Sequence, residues 1–297
     1  MIIKNIAFYI MNSKGLFALK GFIEKFGANA VGYVVSEQDK SVQYDGFEEI
    51  KKIAKDNDIP FYSRTQFDVE IENEFLGLKF AIGWRWLIKN ETSLIVFHDS
   101  ILPKYRGFAP IVNSLINREM CVGVTALFAD KHYDRGDIIS QKSTSFNYPI
   151  KIDKAIEKIE PLYLELVDTI YTRVLAGEAI TGYKQDEKQA SYSLWLDQED
   201  YFIDWDWSAE KIKRFIDSTG YPYNNAKAIL NSNIIIFKEV DVLDDVVVEN
   251  RDRHIGKVIF KEKEMPVIVC RKGLLALKKI TDTDGNTVQI NFRSRFK

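Results

Sequence analysis

The stretch Ala30-Val31-Gly32-Tyr33-Val34-Val35 is a continuous apolar run, of the kind found in a strand buried on both faces. Working outward, residues 2–10 form a β-rich run, followed by the polar turn Asn12-Ser13-Lys14-Gly15 and a helical pattern through Phe26. Downstream, residues 47–57 read as an amphipathic helix and Ile59-Pro60-Phe61-Tyr62 as a short strand. Residues 79–83 and 94–98 are two further short apolar runs. Strands alternating with helices at this spacing predict βαβ units and a mostly parallel sheet, hence an α/β fold. In such sheets ligands bind outside the carboxyl ends of the strands, so the polar residues that follow strands are the candidates for chemistry.

Residues 149–177 are largely helical, with Ile152, Ile156, Ile159, Leu162, Leu166 and Ile170 near helical spacing and Pro161 expected to kink or split the segment. Residues 185–207 are polar and aromatic and read as an extended arm. Ser208 then stands as the N-cap of another helix. Beyond Tyr221-Pro222-Tyr223 the texture becomes short strands and turns at 233–237, 256–260, 266–270 and 273–280, a small β-rich domain resembling a partly open barrel.

Bulk composition narrows the function classes. With 46% hydrophobic and 13% aromatic residues the chain can build a sizeable core. A formal charge of −2, with both signs interspersed, counts against a nucleic-acid partner. Cys121 and Cys270 have no metal-ligand spacing and read as buried thiols of a reducing compartment. The first ten residues lack a cleavage-site pattern and read as an opening strand, and no apolar stretch reaches the roughly 18 residues of a membrane span. A soluble, cytoplasmic protein with no membrane partner is the expectation. Should it self-associate, a homodimer is the commonest arrangement.

Among the three histidines, His254 lies between charged residues and His132 in a polar loop. His98 ends the apolar strand at 94–98 and is followed by Asp99-Ser100. A second polar cluster, Asp130-Lys131-His132-Tyr133-Asp134-Arg135-Gly136-Asp137, follows another strand at 123–128. Two such clusters at strand ends can converge on one cleft, which makes a His–Asp pair chemically plausible. A lone histidine at a strand end is more often structural than catalytic, so spacing alone favours a structural role for His98.

The run His98-Asp99-Ser100-Ile101-Leu102-Pro103-Lys104-Tyr105-Arg106-Gly107, with Ala109-Pro110 after it, resembles the signature of folate-dependent formyltransferases. The likeness continues through Gly123-Val124-Thr125 and Tyr133-Asp134-Arg135-Gly136-Asp137-Ile138-Ile139, and reaches into the β-rich C-terminal part. The resemblance implies a Rossmann-like catalytic domain over 1–185, a linker arm over 186–207 and a small β-rich, OB-like domain over 208–297. It implies N10-formyltetrahydrofolate as formyl donor and no metal, with His98 and Asp134 in the positions of the catalytic pair. An amine attacking a formyl carbon builds negative charge on oxygen and positive charge on nitrogen. The site then needs a hydrogen-bond donor and a base. A histidine held by a carboxylate supplies both. The loop from Gly83, with Trp86, Leu87 and Ile88, occupies the place of the folate carrier in such enzymes, with Asp130 and Asp134 on its other side.

One position departs from the family pattern: Val96 stands where an asparagine is usual, on the same strand face as His98. Losing such an oxyanion donor typically costs about 2.7–4 kcal/mol.

Members of this family act on initiator methionyl-tRNA, on nucleotide-linked amino sugars, or on smaller metabolites. The tRNA enzymes resemble one another in a basic insertion after the second strand. Here residues 36–46 hold Lys40 against Glu37, Asp39 and Asp45 and offer little to a phosphate backbone. The stretch Ser193-Leu194-Trp195-Leu196-Asp197-Gln198-Glu199-Asp200-Tyr201-Phe202-Ile203-Asp204-Trp205 resembles the linker segment of sugar N-formyltransferases. The expected substrate is therefore a UDP- or dTDP-linked amino deoxysugar destined for surface polysaccharide or glycoprotein. Ser13, Lys14, Lys104, Tyr105 and Arg106 are placed to help bind it. The competing readings are a methionyl-tRNA formyltransferase, a catalytically weak folate- or nucleotide-binding homologue, and a formyl-folate hydrolase.

Overall fold

The computed structural model describes residues 5–297; residues 1–4, which open the first predicted strand, lie outside them. The chain folds as two compact units. The first gathers residues 5–111, 120–146 and 154–195, and the second residues 112–119, 147–153 and 196–297. The boundary at Trp195–Leu196 falls inside the expected arm.

The first unit carries β1 (Ile6–Ile10), α1 (Asn12–Phe26), β2 (Val31–Ser36), α2 (Phe47–Asp56), β3 (Phe61–Ser63), α3 (Val69–Glu74), β4 (Leu78–Ile82) and β5 (Leu94–His98). It continues with β6 (Arg106–Gly107), the start of α4 (Pro110–Ile116), β7 (Cys121–Phe128), β8 (Ile138–Ser145), most of α5 (Ile152–Leu175) and β9 (Tyr192–Ser193). The main sheet runs β3-β2-β1-β4-β5-β7-β8. It is parallel from β3 to β5, while β7 and β8 are antiparallel additions. The fold is the mixed α/β arrangement expected. Every residue of β1 is buried, because helices cover both faces of its parallel neighbourhood. The rings of Phe22 and Phe26 on α1 meet Tyr171 on α5 at 4.9 and 4.8 Å.

Strand order reverses between β1 and β4, where Ile10 pairs Ile82 and, one strand further, Ile82 pairs Phe97. The carboxyl ends of β1, β4 and β5 therefore lie level, and the segments leaving them form one rim. A switch point of this kind is where open α/β sheets bind ligands.

Several local expectations are corrected. Asn12-Ser13-Lys14-Gly15 is the first turn of α1, not a free turn, since the chain enters the helix directly from Met11. Pro161 does not split the long helix: α5 runs unbroken for 24 residues, its apolar stripe buried on either side of the one lost N–H donor. Cys121 is exposed at the start of β7, whereas Cys270 is buried as expected.

The second unit carries α6 (Ala209–Thr219) and β10 (Ala226–Leu230), β11 (Asn233–Leu243), β12 (Val258–Glu262), β13 (Met265–Val269) and β14 (Leu274–Thr281). These strands form an antiparallel sheet in the order β10-β11-β14-β13-β12. The apolar face of α6 (Ala209, Ile212, Phe215, Ile216) joins Phe237, Leu275, Leu277, Trp205 and Phe296 in one core. Ser208 caps α6, its hydroxyl accepting from the Lys211 N–H at 3.3 Å. β10, and the extension of β11 to Leu243, escaped the sequence reading. Ala226-Lys227-Ala228 carries little β propensity of its own and is a strand because β11 pairs with it.

Candidate functional site

The site grows from the end of β5. Leu94, Ile95 and Phe97 anchor that strand in the core, and His98, its last residue, is also buried. Its register partner on β7 is Thr125. The Thr125 hydroxyl donates to Ser100 O at 2.6 Å and accepts from the Leu102 N–H at 3.1 Å. Gln141 on β8 donates to Leu102 O at 3.0 Å and to Thr125 Oγ1 at 2.8 Å. The loop following the histidine is thus tied down from two strands.

That loop returns to the imidazole. His98 Nε2 lies 2.7 Å from the carbonyl oxygen of Tyr105, which can only accept, so Nε2 is the donor. The other ring nitrogen, Nδ1, faces Asp134 Oδ1 at 3.5 Å, and both side chains are largely shielded from solvent. The two polar clusters read from the sequence therefore do converge.

Asp134 is held in place from two sides. Its backbone is left-handed, with φ of 55°. The Gly107 N–H donates to its Oδ2 at 2.8 Å. Gln185 Nε2 donates to the carbonyls of Asp134 and Gly136, each at 2.8 Å. Gln185 had no local signal in the sequence, because its partners are backbone atoms some 50 residues away; the separations are 51 and 49 positions.

Beside this pair lies the loop leaving β4. Trp84 and Ile88 pack with Tyr9, Tyr33, Val96 and Ala129, while Leu87 is exposed. Trp84 and Trp86 meet edge-on at 5.1 Å, and the Arg64 guanidinium lies 4.6 Å over the Trp86 ring. The indole N–H of Trp84 is buried without a hydrogen-bond partner. Asp130 is exposed and turns toward His132 rather than His98. It accepts from the His132 backbone N–H at 3.0 Å, a bond that holds its carboxyl below the usual carboxylate range, and lies 3.1 Å from Nδ1 of the same residue.

The residues expected to help bind the substrate, Ser13, Lys14, Lys104, Tyr105 and Arg106, have different settings. Lys14 is buried and its ammonium is paired with Asp99. Ser13 is linked to Glu160, whose carboxyl is pushed up by burial and drawn back by that hydroxyl. Arg106 is wholly buried. Its guanidinium donates to Gln185 Oε1 at 3.1 and 2.8 Å, to both Glu187 oxygens at 3.0 Å and to the Tyr192 hydroxyl at 3.3 Å. That fork is filled by protein acceptors. Lys104 is exposed, and the Tyr105 backbone, at φ of 58°, presents its carbonyl to His98.

Comparison with known proteins adds the lineage. Residues 82–175 match the family described as Formyl transferase, and residues 196–295 match Formyl transferase, C-terminal domain. Among curated relatives, a methionyl-tRNA formyltransferase of Campylobacter jejuni is 27% identical over 64% of this chain and 60% of its own length. One from Streptococcus thermophilus is 31% identical over 62% of this chain and 56% of its own. The matched stretch thus spans under two thirds of these relatives. A solved N-formyltransferase from Helicobacter canadensis, in complex with folinic acid and dTDP-3-aminofucose, has the same fold: TM-score 0.67 at 19% identity, covering 94% of this chain and 100% of that one. A sugar 3N-formyl transferase, WlaRD, solved with dTDP and 5-N-formyl-THF, gives 0.65 at 19%, covering 93% and 98%. With a family match in each of its two parts, the chain belongs to the formyltransferase family.

Proposed function

We propose that the protein transfers a formyl group from N10-formyltetrahydrofolate to the amino group of a nucleotide-linked amino sugar. The observation that carries this reading is the juxtaposition of His98 Nδ1 and Asp134 Oδ1 at the rim of the parallel sheet. The loop from Gly83 suits a flat heterocycle through apolar walls from Trp84, Ile88 and Val96 and the unpartnered Trp84 N–H. When bound, the folate would supply the activated formyl carbon, and His98 would return the proton it takes from the amine to the nitrogen freed when the N10–C bond breaks. His98 takes the proton of the attacking amine at Nδ1, the nitrogen that Tyr105 does not engage, and Asp134 stabilises the imidazolium so formed. The Nε2–H, fixed by the Tyr105 carbonyl, keeps the ring from rotating.

The sugar reading is favoured by two features of this chain. Residues 36–46 form an acidic turn, not a basic one. Asp45 accepts from the backbone N–H groups of Asp39 and Phe47 at 2.8 and 3.0 Å, and Asp39 pairs with Arg85. The arm 193–205 resembles the linker segment of sugar N-formyltransferases. The second reading, methionyl-tRNA formyl transfer, draws on the curated relatives at 27–31% identity.

The test is incubation of the protein with N10-formyltetrahydrofolate and a panel of UDP- and dTDP-linked amino sugars, following free tetrahydrofolate and a product heavier by one formyl group. Turnover with a sugar is expected. Formylation of charged initiator tRNA alone would replace it with the second reading. Folate release without any formylated amine would indicate hydrolysis, and folate binding without release a silent homologue.

A further inference from the structure

Arg106 is a buried charge that the transfer chemistry does not use, yet its acceptors are assembled from one short segment, residues 185–192. A buried guanidinium is tolerated only when paired and hydrogen-bonded throughout. Here Glu187 is that pairing partner, and it also binds Arg135 at 3.1 Å. The Glu187 carboxyl is held below its usual range chiefly by Arg106, and the Arg106 guanidinium is raised chiefly by Glu187.

Backbone contacts run alongside. β6 and β9 pair in parallel, Arg106 opposite Tyr192 and Gly107 opposite Ser193. The Arg106 N–H donates to Ser191 O at 2.8 Å, the Phe108 N–H to Ser193 O at 3.0 Å and the Tyr105 N–H to Ser191 Oγ at 2.9 Å. The two neighbours of Arg106 are the residues that touch the reacting pair: Tyr105 through its carbonyl on His98, and Gly107 through its N–H on Asp134. Gln185 closes the circuit, accepting from Arg106 on one end of its amide and donating to the Asp134 and Gly136 carbonyls on the other.

We infer that Arg106 and Gln185 are positioning residues that set the separation of the His98 ring from the Asp134 carboxylate. Gln185 spans the two loops, one carrying Tyr105 and Gly107 and the other carrying Asp134, and Arg106 anchors that span in the interior. A neutral amide suits the bridging place. It must accept from a guanidinium and donate to two carbonyls at once, which neither a carboxylate nor an aliphatic side chain can do. The inference rests on reading His98 and Asp134 as the reacting pair, but its central measurement needs no turnover.

In the full chain labelled with nitrogen-15 at histidine, the His98 ring signals are identified by their loss in His98→Asn. Gln185→Leu is expected to move those signals in the direction that Asp134→Asn moves them, while the His254 signals stay in place. Gln185→Glu, which keeps the acceptor for Arg106 but loses both donors to the Asp134 loop, is expected to do the same. It also serves should Gln185→Leu not fold. In the transfer assay kcat falls about 10²-fold, as for a reacting group displaced by about 1 Å, with donor KM nearly unchanged. Arg106→Lys, which keeps the charge and loses the fork, is expected to lower kcat in the same way. His98 signals that stay put in both Gln185 variants would overturn the inference even if stability had fallen. A parent protein without transfer activity would instead overturn the functional reading, and the His98 signals would still decide this one.

Discussion

The backbone N–H of Gly107 donates to Asp134 Oδ2 at 2.8 Å, so the carboxylate facing His98 is oriented by main chain from the neighbouring loop. Gly107 has φ of 97°, and a Cβ there would stand 2.5 Å from Ser193 O. Any other residue is strained in that conformation and pushes against β9. Glycine therefore lets the loop come close enough for its N–H to reach Asp134.

Asp134→Asn is expected to lower kcat by about 10²–10⁴-fold, the range of general acid–base contributions, with donor and sugar KM little changed. The amide keeps the shape but cannot stabilise a proton on His98 Nδ1. Steady-state kinetics at saturating substrates check this; a loss under about threefold would remove Asp134 from the mechanism.

His98→Ala is expected to abolish transfer to a similar extent while folate binding, followed by calorimetry, persists. The ring contacts Tyr105 and Asp134, whereas the slot from Gly83 to Ile88 is built from Trp84, Ile88 and Val96. Near-normal turnover in this variant would end the assignment.

Val96 packs with Leu102, Leu127 and Ile138 on one side and joins the Trp84 cluster on the other. Val96→Asn is expected to destabilise the protein by about 1–3 kcal/mol, the cost of placing an amide in an apolar contact. Thermal unfolding measures it. A midpoint at or above that of the parent would mean that the position faces a polar slot. A rate gain of about 10²–10³ beside it would mean that the parent site lacks an oxyanion donor.

Burial pushes the Cys270 thiol up to about 12. A folded pKa above the free-thiol value of about 8.5 favours the protonated form. The resulting stability is complete below about pH 8.5 and is lost as pH rises toward the folded value. Native protein treated with a thiol reagent at pH 8 is expected to label at the exposed Cys121 alone, Cys270 reacting only on unfolding. Equal labelling of both under native conditions would contradict the burial.

Ser208→Ala is expected to cost about 0.5–2 kcal/mol, because the first turn of α6 loses its side-chain acceptor. Chemical denaturation of parent and variant reads the difference. A cost near zero would show that solvent replaces the cap.

The alternation of apolar strands with amphipathic helices, the place of His98 at a strand end, the Ser208 cap and the two polar clusters were all legible in the amino-acid sequence. Each is a local pattern, set by the period of a strand or helix or by the residues that flank it. The fate of the cations was not legible. Lys14, Lys104 and Arg106 look alike as a sequence, yet Lys14 pairs with Asp99, Lys104 stays in solvent and Arg106 is enclosed by Gln185, Glu187 and Tyr192. The same holds for the Tyr105 carbonyl and the Gly107 N–H, which became part of the site as backbone atoms and carry no side-chain signal. Partners such as these are brought together by the crossing of distant segments, and a buried charge is satisfied by whatever acceptors that crossing delivers.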